Sequence, residues 1–123
     1  MLVCGGRDYI NGPKVYATLE GIINTLSSRD LFIIAGAARG VDSLAIDWAV
    51  VEGLPYKEYP ADWNKYGKAA GAIRNQQMLD EGKPDLVVAF PGGRGTADMV
   101  RRAKKAGIEV REIGCESKKF SGA

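Results

Sequence analysis

This sequence predicts an α/β protein: three layers, with helices on both faces of a mostly parallel five-stranded sheet. Two observations carry the prediction. Short apolar runs rich in β-branched residues alternate with longer amphipathic stretches, and those stretches have the length and the glycine stops of crossover helices.

The runs fall at residues 1–3, 31–35, 56–59, 86–90 and 109–113, and each reads as a short strand. Between the first two, residues 13–28 place Val15, Tyr16, Leu19, Ile22, Ile23 and Leu26 at helical spacing, with Pro13 in the first turn. A second helix is expected over 43–52, with Asp42 as its N-cap, Leu44, Ala45, Trp48 and Val51 as its apolar stripe, and Gly53 just past its end. Residues 71–80, closed by Gly82 and Pro84, and residues 96–105, closed by Gly107, complete the set. Trp48 is expected in the core. The class is α/β of the Rossmann-like kind.

At 123 residues the chain has room for one domain, expected over 1–114, with an aperiodic tail at 115–123 expected to be disordered. No apolar run approaches the ~20 residues that span a bilayer, and the start lacks the pattern of a signal peptide, so a cytoplasmic address without membrane association is expected. The net charge of +2 is too weak to argue for nucleic acid by itself. There is no histidine, and Cys4 and Cys115 are the two cysteines, read as reduced thiols. That excludes His-based triads and zinc sites containing histidine; no metal and no cofactor are expected, and proton transfer would fall to carboxylates, Lys, Tyr or Cys.

Ligands of open α/β sheets bind beyond the carboxyl ends of the strands, which directs attention to four turns. They read Cys4-Gly5-Gly6-Arg7-Asp8-Tyr9, Gly36-Ala37-Ala38-Arg39-Gly40-Val41-Asp42, Pro60-Ala61-Asp62-Trp63 and Pro91-Gly92-Gly93-Arg94-Gly95-Thr96. Three of them combine glycines with an arginine. Glycine lets backbone N–H groups approach an anion, and a following helix offers its unpaired amides, so these turns suit a phosphate. Gly92–Thr96 is the strongest case, with Thr96 as N-cap or phosphate ligand; it is no Walker A loop, because no lysine follows Gly95. Glycines also simply make tight turns, and at least one of Arg7, Arg39 and Arg94 is expected to be a solvated surface charge.

Trp63 and Tyr66 sit in a polar segment, where Trp63 either stacks on a base or plugs the gap between loop and helix. Arg74-Asn75 pairs a bidentate anion binder with an amide suited to a sugar or base, or else decorates a helix surface. Among the loop-proximal carboxylates, Asp42 reads as a cap and Asp98 as a first-turn charge, leaving Asp62 and Asp8 without an evident structural task.

These turns, together with Gly71-Ala72-Ile73-Arg74-Asn75-Gln76-Gln77-Met78-Leu79 and Pro91 through Met99, resemble in order the motifs of a small bacterial and phage family within the SLOG superfamily. The resemblance runs from about residue 1 to 110. It implies a Rossmann-like fold, a nucleotide or nucleotide-derived ligand and a homodimer. Its wider relatives include phosphoribohydrolases that cleave the base from a nucleoside monophosphate, molybdenum-cofactor carrier-like proteins, and DNA-processing proteins. Pro91–Thr96 is similar to the phosphoribohydrolase signature PGGxGTxxE, and Arg74 is similarly placed to that family's arginine. The glutamate of the signature falls on Met99, and Asp98 would project about 100° away around a helix.

Three readings follow. The first is a sensor or carrier, its ligand held by Gly5, Gly6, Arg7, Gly36, Arg39, Gly40, Asp42, Trp63, Arg74, Asn75 and Pro91 through Thr96. The second is an N-glycosidase acting on a nucleoside monophosphate, with Arg7, Arg39 or Arg74 clamping phosphate and Asp62 or Asp8 stabilising an oxocarbenium-like transition state. The third, single-stranded nucleic-acid binding through Arg101, Arg102, Lys104 and Lys105, is disfavoured because those charges spread around the last helix, whose end attracts cations anyway.

Overall fold

Side chains on successive strand residues point to opposite faces of a sheet, and here both faces are apolar. In the computed structural model, which describes residues 1–25 and 31–114, the first strand β1 (Leu2–Cys4) is buried throughout. Leu2 and Cys4 enter one core and Val3 the other. The strands β2 (Ile33–Gly36), β3 (Tyr56–Tyr59), β4 (Leu86–Ala89) and β5 (Glu109–Glu112) join it in the order β3-β2-β1-β4-β5. All four pairings are parallel, so the sheet is wholly rather than mostly so.

Helices α1 (Gly12–Ile23) and α2 (Val41–Glu52) cover one face, where Val15, Leu19 and the fully buried Trp48 pack on Val3, Ile33, Val88 and Phe90. On the other face lie α4 (Ala70–Gly82) and α5 (Arg94–Lys105), with Met78, Leu79, Met99 and Ala103 against Leu2, Ile34 and Val87. A short α3 (Trp63–Tyr66) and one 3₁₀ turn (Gly67–Ala69) precede α4 and occupy part of the third loop. The edge strands are charged, as in Lys57, Glu58, Glu109 and Arg111, which discourages pairing with further strands. Among the described residues no helix is long and apolar enough to cross a membrane.

Four helix boundaries differ from expectation; in α4 the helix runs through Gly82, expected as its stop, and Lys83 takes the left-handed C-cap at φ 45°. The first helix ends at Ile23 with Asn24 as C-cap, and its expected extension through residues 26–28 lies outside the described residues, as do Cys115 and the tail 115–123. The second starts at Val41 with Gly40, not Asp42, as N-cap. A tertiary contact decides this: the Val41 N–H donates to the Gly6 carbonyl at 3.2 Å, so the cap comes from another loop. The last helix starts at Arg94 with Gly93 as N-cap, which leaves Thr96 as its third residue.

Gly40 sits at φ 79°, ψ −130°, and a Cβ there would strike the Gly6 carbonyl and the Arg7 backbone. Gly40→Ala is therefore expected to destabilise the protein by roughly 1–3 kcal/mol or more. Gly21→Ala, in the last turn of α1 with no atom near the new methyl, should stabilise it by up to about 1 kcal/mol. Chemical denaturation of both variants checks the opposite signs.

Candidate functional site

The strand order reverses at β1, since β2 lies on one side of it and β4 on the other. The chain leaving β1 turns toward α1 on one face, and the chain leaving β4 turns toward α5 on the other. A crevice opens where they part. It measures about 740 Å³, and its lining draws on Cys4 through Tyr9, Ala38, Asp42, Arg74, Asn75, Met78, Met99 and the whole of Pro91 through Thr96. A second hollow of about 380 Å³ adjoins it, bordered by Ala37, Arg39, Pro60, Ala61 and Trp63 and sharing Arg7, Ala38 and Arg74 with the first. The turns singled out in the sequence thus lie at one rim. A further groove of about 670 Å³ lies at the opposite end of the strands, among mixed charges such as Lys57, Glu81, Lys83 and Asp85. It has no glycine turn leading into a helix, and the crevice is the stronger candidate on that ground.

The glycines divide into two groups. Gly5, Gly6, Gly36, Gly40 and Gly92 let one backbone lie against another or against a side chain; a Cβ at Gly5 would meet Val41 and Phe90, and one at Gly92 would meet Thr96 Oγ1 and the Gly6 amide. Gly93 and Gly95 have no such neighbour and open into the cleft. Above them the first turn of α5 has no side-chain cap, and the amides of Arg94, Gly95 and Thr96 donate to no protein group among the described residues. Their partial positive charge meets the crevice.

Arg74 and Asn75 belong to one network. Asn75, buried, donates from Nδ2 to the Gly95 carbonyl at 3.1 Å and to Asp98 Oδ2 at 3.0 Å, and its Oδ1 accepts from Arg74 Nε at 3.1 Å. Its polar atoms are engaged within the protein, so the amide orients Arg74 and ties α4 to α5 instead of reaching outward. Asp98 also accepts from Arg101 at 2.5 Å and from Arg102 at 2.8 Å. Partial burial works to raise its pKa, but the bonds from Arg102 and Asn75 and the two arginine charges outweigh it and hold the carboxyl below its usual range. With Lys104 bonded to Glu112 at 3.0 Å, three of the five basic side chains of α5 are paired.

The carboxylates sort differently from expectation. Asp62 is the N-cap of α3, accepting from the Lys65 N–H at 3.1 Å. Asp8 is 85% exposed in an ion pair with the 71% exposed Arg39, at 2.9 Å. Both have the structural task the sequence withheld, because their partners lie in a helix and a loop that sequence reading did not foresee. Asp42 is 7% exposed, within the first turn of α2. Burial is the largest influence and pushes its carboxyl up to about 6, against the charges of Arg74 and Arg7 and the Ala38 N–H at 3.3 Å. Beneath it, burial and the Asp42 charge push the Cys4 thiol up to about 12, which keeps it protonated.

Trp63 is 51% exposed, lies near Gly71 and borders the smaller hollow. Two lining groups were not singled out in the sequence. Tyr9 stands 5.8 Å from Phe90, ring to ring, and Met78 and Met99 form the apolar floor. The aromatic directly after the glycine-arginine turn was the available signal for Tyr9; the methionines look like ordinary core residues. Among the described residues no cluster of His, Cys, Asp or Glu is arranged to hold a metal ion.

An all-parallel sheet in this order, with a glycine-lined crevice at its switch point, defines a Rossmann-like α/β protein. The particular family follows from sequence. The YspA, cpYpsA-related SLOG family model matches residues 1–66, from β1 through α3. Gene 61 protein of Mycobacterium phage D29 is 36% identical over 121 residues, covering 93% of this chain and 95% of the phage protein. The chain belongs to this SLOG family.

The Asp42 carboxyl gives a pH signature. Its pKa rises from 3.8 in the unfolded chain to about 6 when folded, so the folded chain holds the proton more tightly. Stability from this group is therefore greatest at low pH and is lost as the pH climbs through that window. Asp42→Asn lacks the penalty and should be the more stable protein at pH 7.5, by up to about 3 kcal/mol, with the gap closing near pH 4. Thermal unfolding of both proteins across that range checks it; a less stable variant at pH 7.5 would contradict the burial argument.

Proposed function

We propose that this protein binds a nucleotide or nucleotide-derived ligand at the carboxyl edge of its sheet and acts as a sensor or carrier. One observation carries the reading: the uncapped first turn of α5 presents three unpartnered amides to a crevice bordered by Arg7, Arg74 and Arg94. Membership of the SLOG family is consistent with nucleotide-related binding or processing. In this reading the phosphate rests on Gly93, Arg94, Gly95 and Thr96, and the base extends toward Trp63 through the gap shared by Arg7, Ala38 and Arg74. Gly5, Gly6, Gly36, Gly40 and Gly92 shape the walls, Asn75 positions Arg74, and the Arg39–Asp8 pair braces the rim.

A second reading, N-glycosidic cleavage of a nucleoside monophosphate, is favoured by Asp42, a cleft carboxyl whose pKa near 6 suits proton transfer at neutral pH. Met99, 1% exposed, occupies the place of the hydrolase glutamate and supplies no carboxylate. Incubation with nucleoside monophosphates separates the two: free base identifies the hydrolase, and binding without turnover identifies the sensor or carrier.

Gly93→Val tests the site itself. A Cβ at Gly93 meets no protein atom within 4 Å, so the variant should keep its fold while its side chain covers the amides. Nucleotide affinity measured by calorimetry should fall about 10-fold or more. Unchanged affinity would remove the α5 turn from the binding site. Mass spectrometry of small molecules that co-purify with the protein identifies the ligand directly.

A further inference from the structure

Asp42 comes from α2 and Arg74 from α4, on opposite faces of the sheet, and both side chains lean over the α-carbon of Gly36, where a Cβ would strike each of them. Opposite charges in a partly buried cleft attract one another. Yet no ion pair or hydrogen bond joins them among the described residues. Arg74 is held back by its other bonds, Nε to Asn75 and Nη1 to the Tyr59 carbonyl at 3.3 Å, and Asn75 is fixed in turn by Gly95 and Asp98. What remains, among the described residues, is a carboxylate that accepts from the Ala38 N–H on Oδ2 and from no protein group on Oδ1, and a guanidinium whose Nη2 donates to no protein group, both open to the crevice.

The group that fits such a gap must accept from a guanidinium and donate to a carboxylate at the same time. A phosphate or carbonyl oxygen has no proton to donate, and an ammonium has no lone pair. A hydroxyl does both, and two adjacent hydroxyls engage both partners at once; a base edge also donates and accepts, but the position of the gap between the α5 turn and the hollow beside Trp63 suits the sugar. The gap lies in the crevice that also contains the first turn of α5, and Arg74 borders the hollow beside Trp63. A sugar lies between phosphate and base in a nucleotide in the same way.

We propose that Asp42 and Arg74 form a sugar-hydroxyl subsite, which selects ribonucleotides over nucleotides lacking the 2′ and 3′ hydroxyls. This rests on the nucleotide reading above and narrows it to a ligand class. A carboxylate that lines a cleft beside an arginine it does not pair with, and keeps one oxygen clear of protein donors among the described residues, is available to a ligand.

The test compares the four ribonucleoside 5′-monophosphates with their 2′,3′-dideoxy counterparts by calorimetry on the intact protein. The ribo series should bind about 10- to 100-fold more tightly, the scale of a hydrogen bond to a charged group. Asp42→Asn, a near-isostere of the protonated side chain, should shrink the ribo-to-dideoxy affinity ratio toward unity, a ratio in which the effect of the lost charge on the shared phosphate cancels. A second arm needs no variant. The groups facing Asp42 are Arg74 from α4, Arg7 from the first loop, the Ala38 N–H and, below, the Cys4 thiol at about 12, and none of these types of group changes charge between pH 5 and 7.5. The phosphate titrates alike in both series, so the ribo-to-dideoxy preference isolates Asp42 and should shrink as the pH falls below 6. Equal affinity of the two series, with Gly93→Val still abolishing both, overturns the subsite and spares the nucleotide reading. A preference that survives Asp42→Asn and is flat with pH also overturns it. Absence of binding by either series overturns both proposals.

Discussion

The backbone of one residue, Gly6, ties the functional rim together. Its N–H donates to the Pro91 carbonyl at 2.9 Å, and its own carbonyl accepts from Val41 at 3.2 Å and Tyr9 at 3.3 Å. The loops after β1, β2 and β4 are thereby joined at a single residue. Each bond satisfies a polar group that would otherwise be left unpaired in a partly buried turn. The close approach is available only because Gly6, Gly40 and Gly92 carry no side chain at the contact. The crevice is thus a consequence of loop packing, and its walls are as rigid as the bonds that define it.

Within that frame the molecule retains groups that do not help it fold. The first turn of α5 keeps its amides uncapped, although a Ser, Thr, Asp or Asn at position 93 would satisfy one of them. Asp42 is buried beside cations it does not touch, and its raised pKa measures the resulting strain on the ionised form. Both features place unsatisfied charge or hydrogen-bonding capacity at the same crevice. The scaffold around them is largely satisfied through the Asp98–Asn75–Arg74 chain and the capped α1 and α3; among the described residues Trp48 Nε1 is the one fully buried side-chain polar atom without a partner.

Much of this was legible in the sequence, for identifiable reasons. Strands and helices showed through because burial of a strand on both faces demands continuous apolar runs, and a helix on a sheet demands a stripe. The helix stops at Gly53, and the turns rich in glycine and arginine, follow from local backbone chemistry. The boundaries at Asp42 and Thr96 were misread because the caps of those helices are glycines, one of them completed by the Gly6 carbonyl far away in sequence. Asp62 and Asp8 looked free because their partners, the Lys65 amide of an unforeseen short helix and the Arg39 side chain of another loop, could not be seen.

Local periodicity and turn composition, properties of neighbours along the chain, were enough to determine the α/β class, the alternation of elements and the turns that crown the sheet. Only the tertiary structure decided which glycines pack and which stay open, that Asn75 faces inward, and that Asp42 and Arg74 converge over Gly36 without pairing. Those outcomes depend on contacts between segments well apart in sequence, as in the 20 residues separating Asn75 from Gly95 and the 31 separating Asp8 from Arg39. Hydrogen bonding and desolvation act through space, and a linear pattern of residue types does not encode which groups will meet.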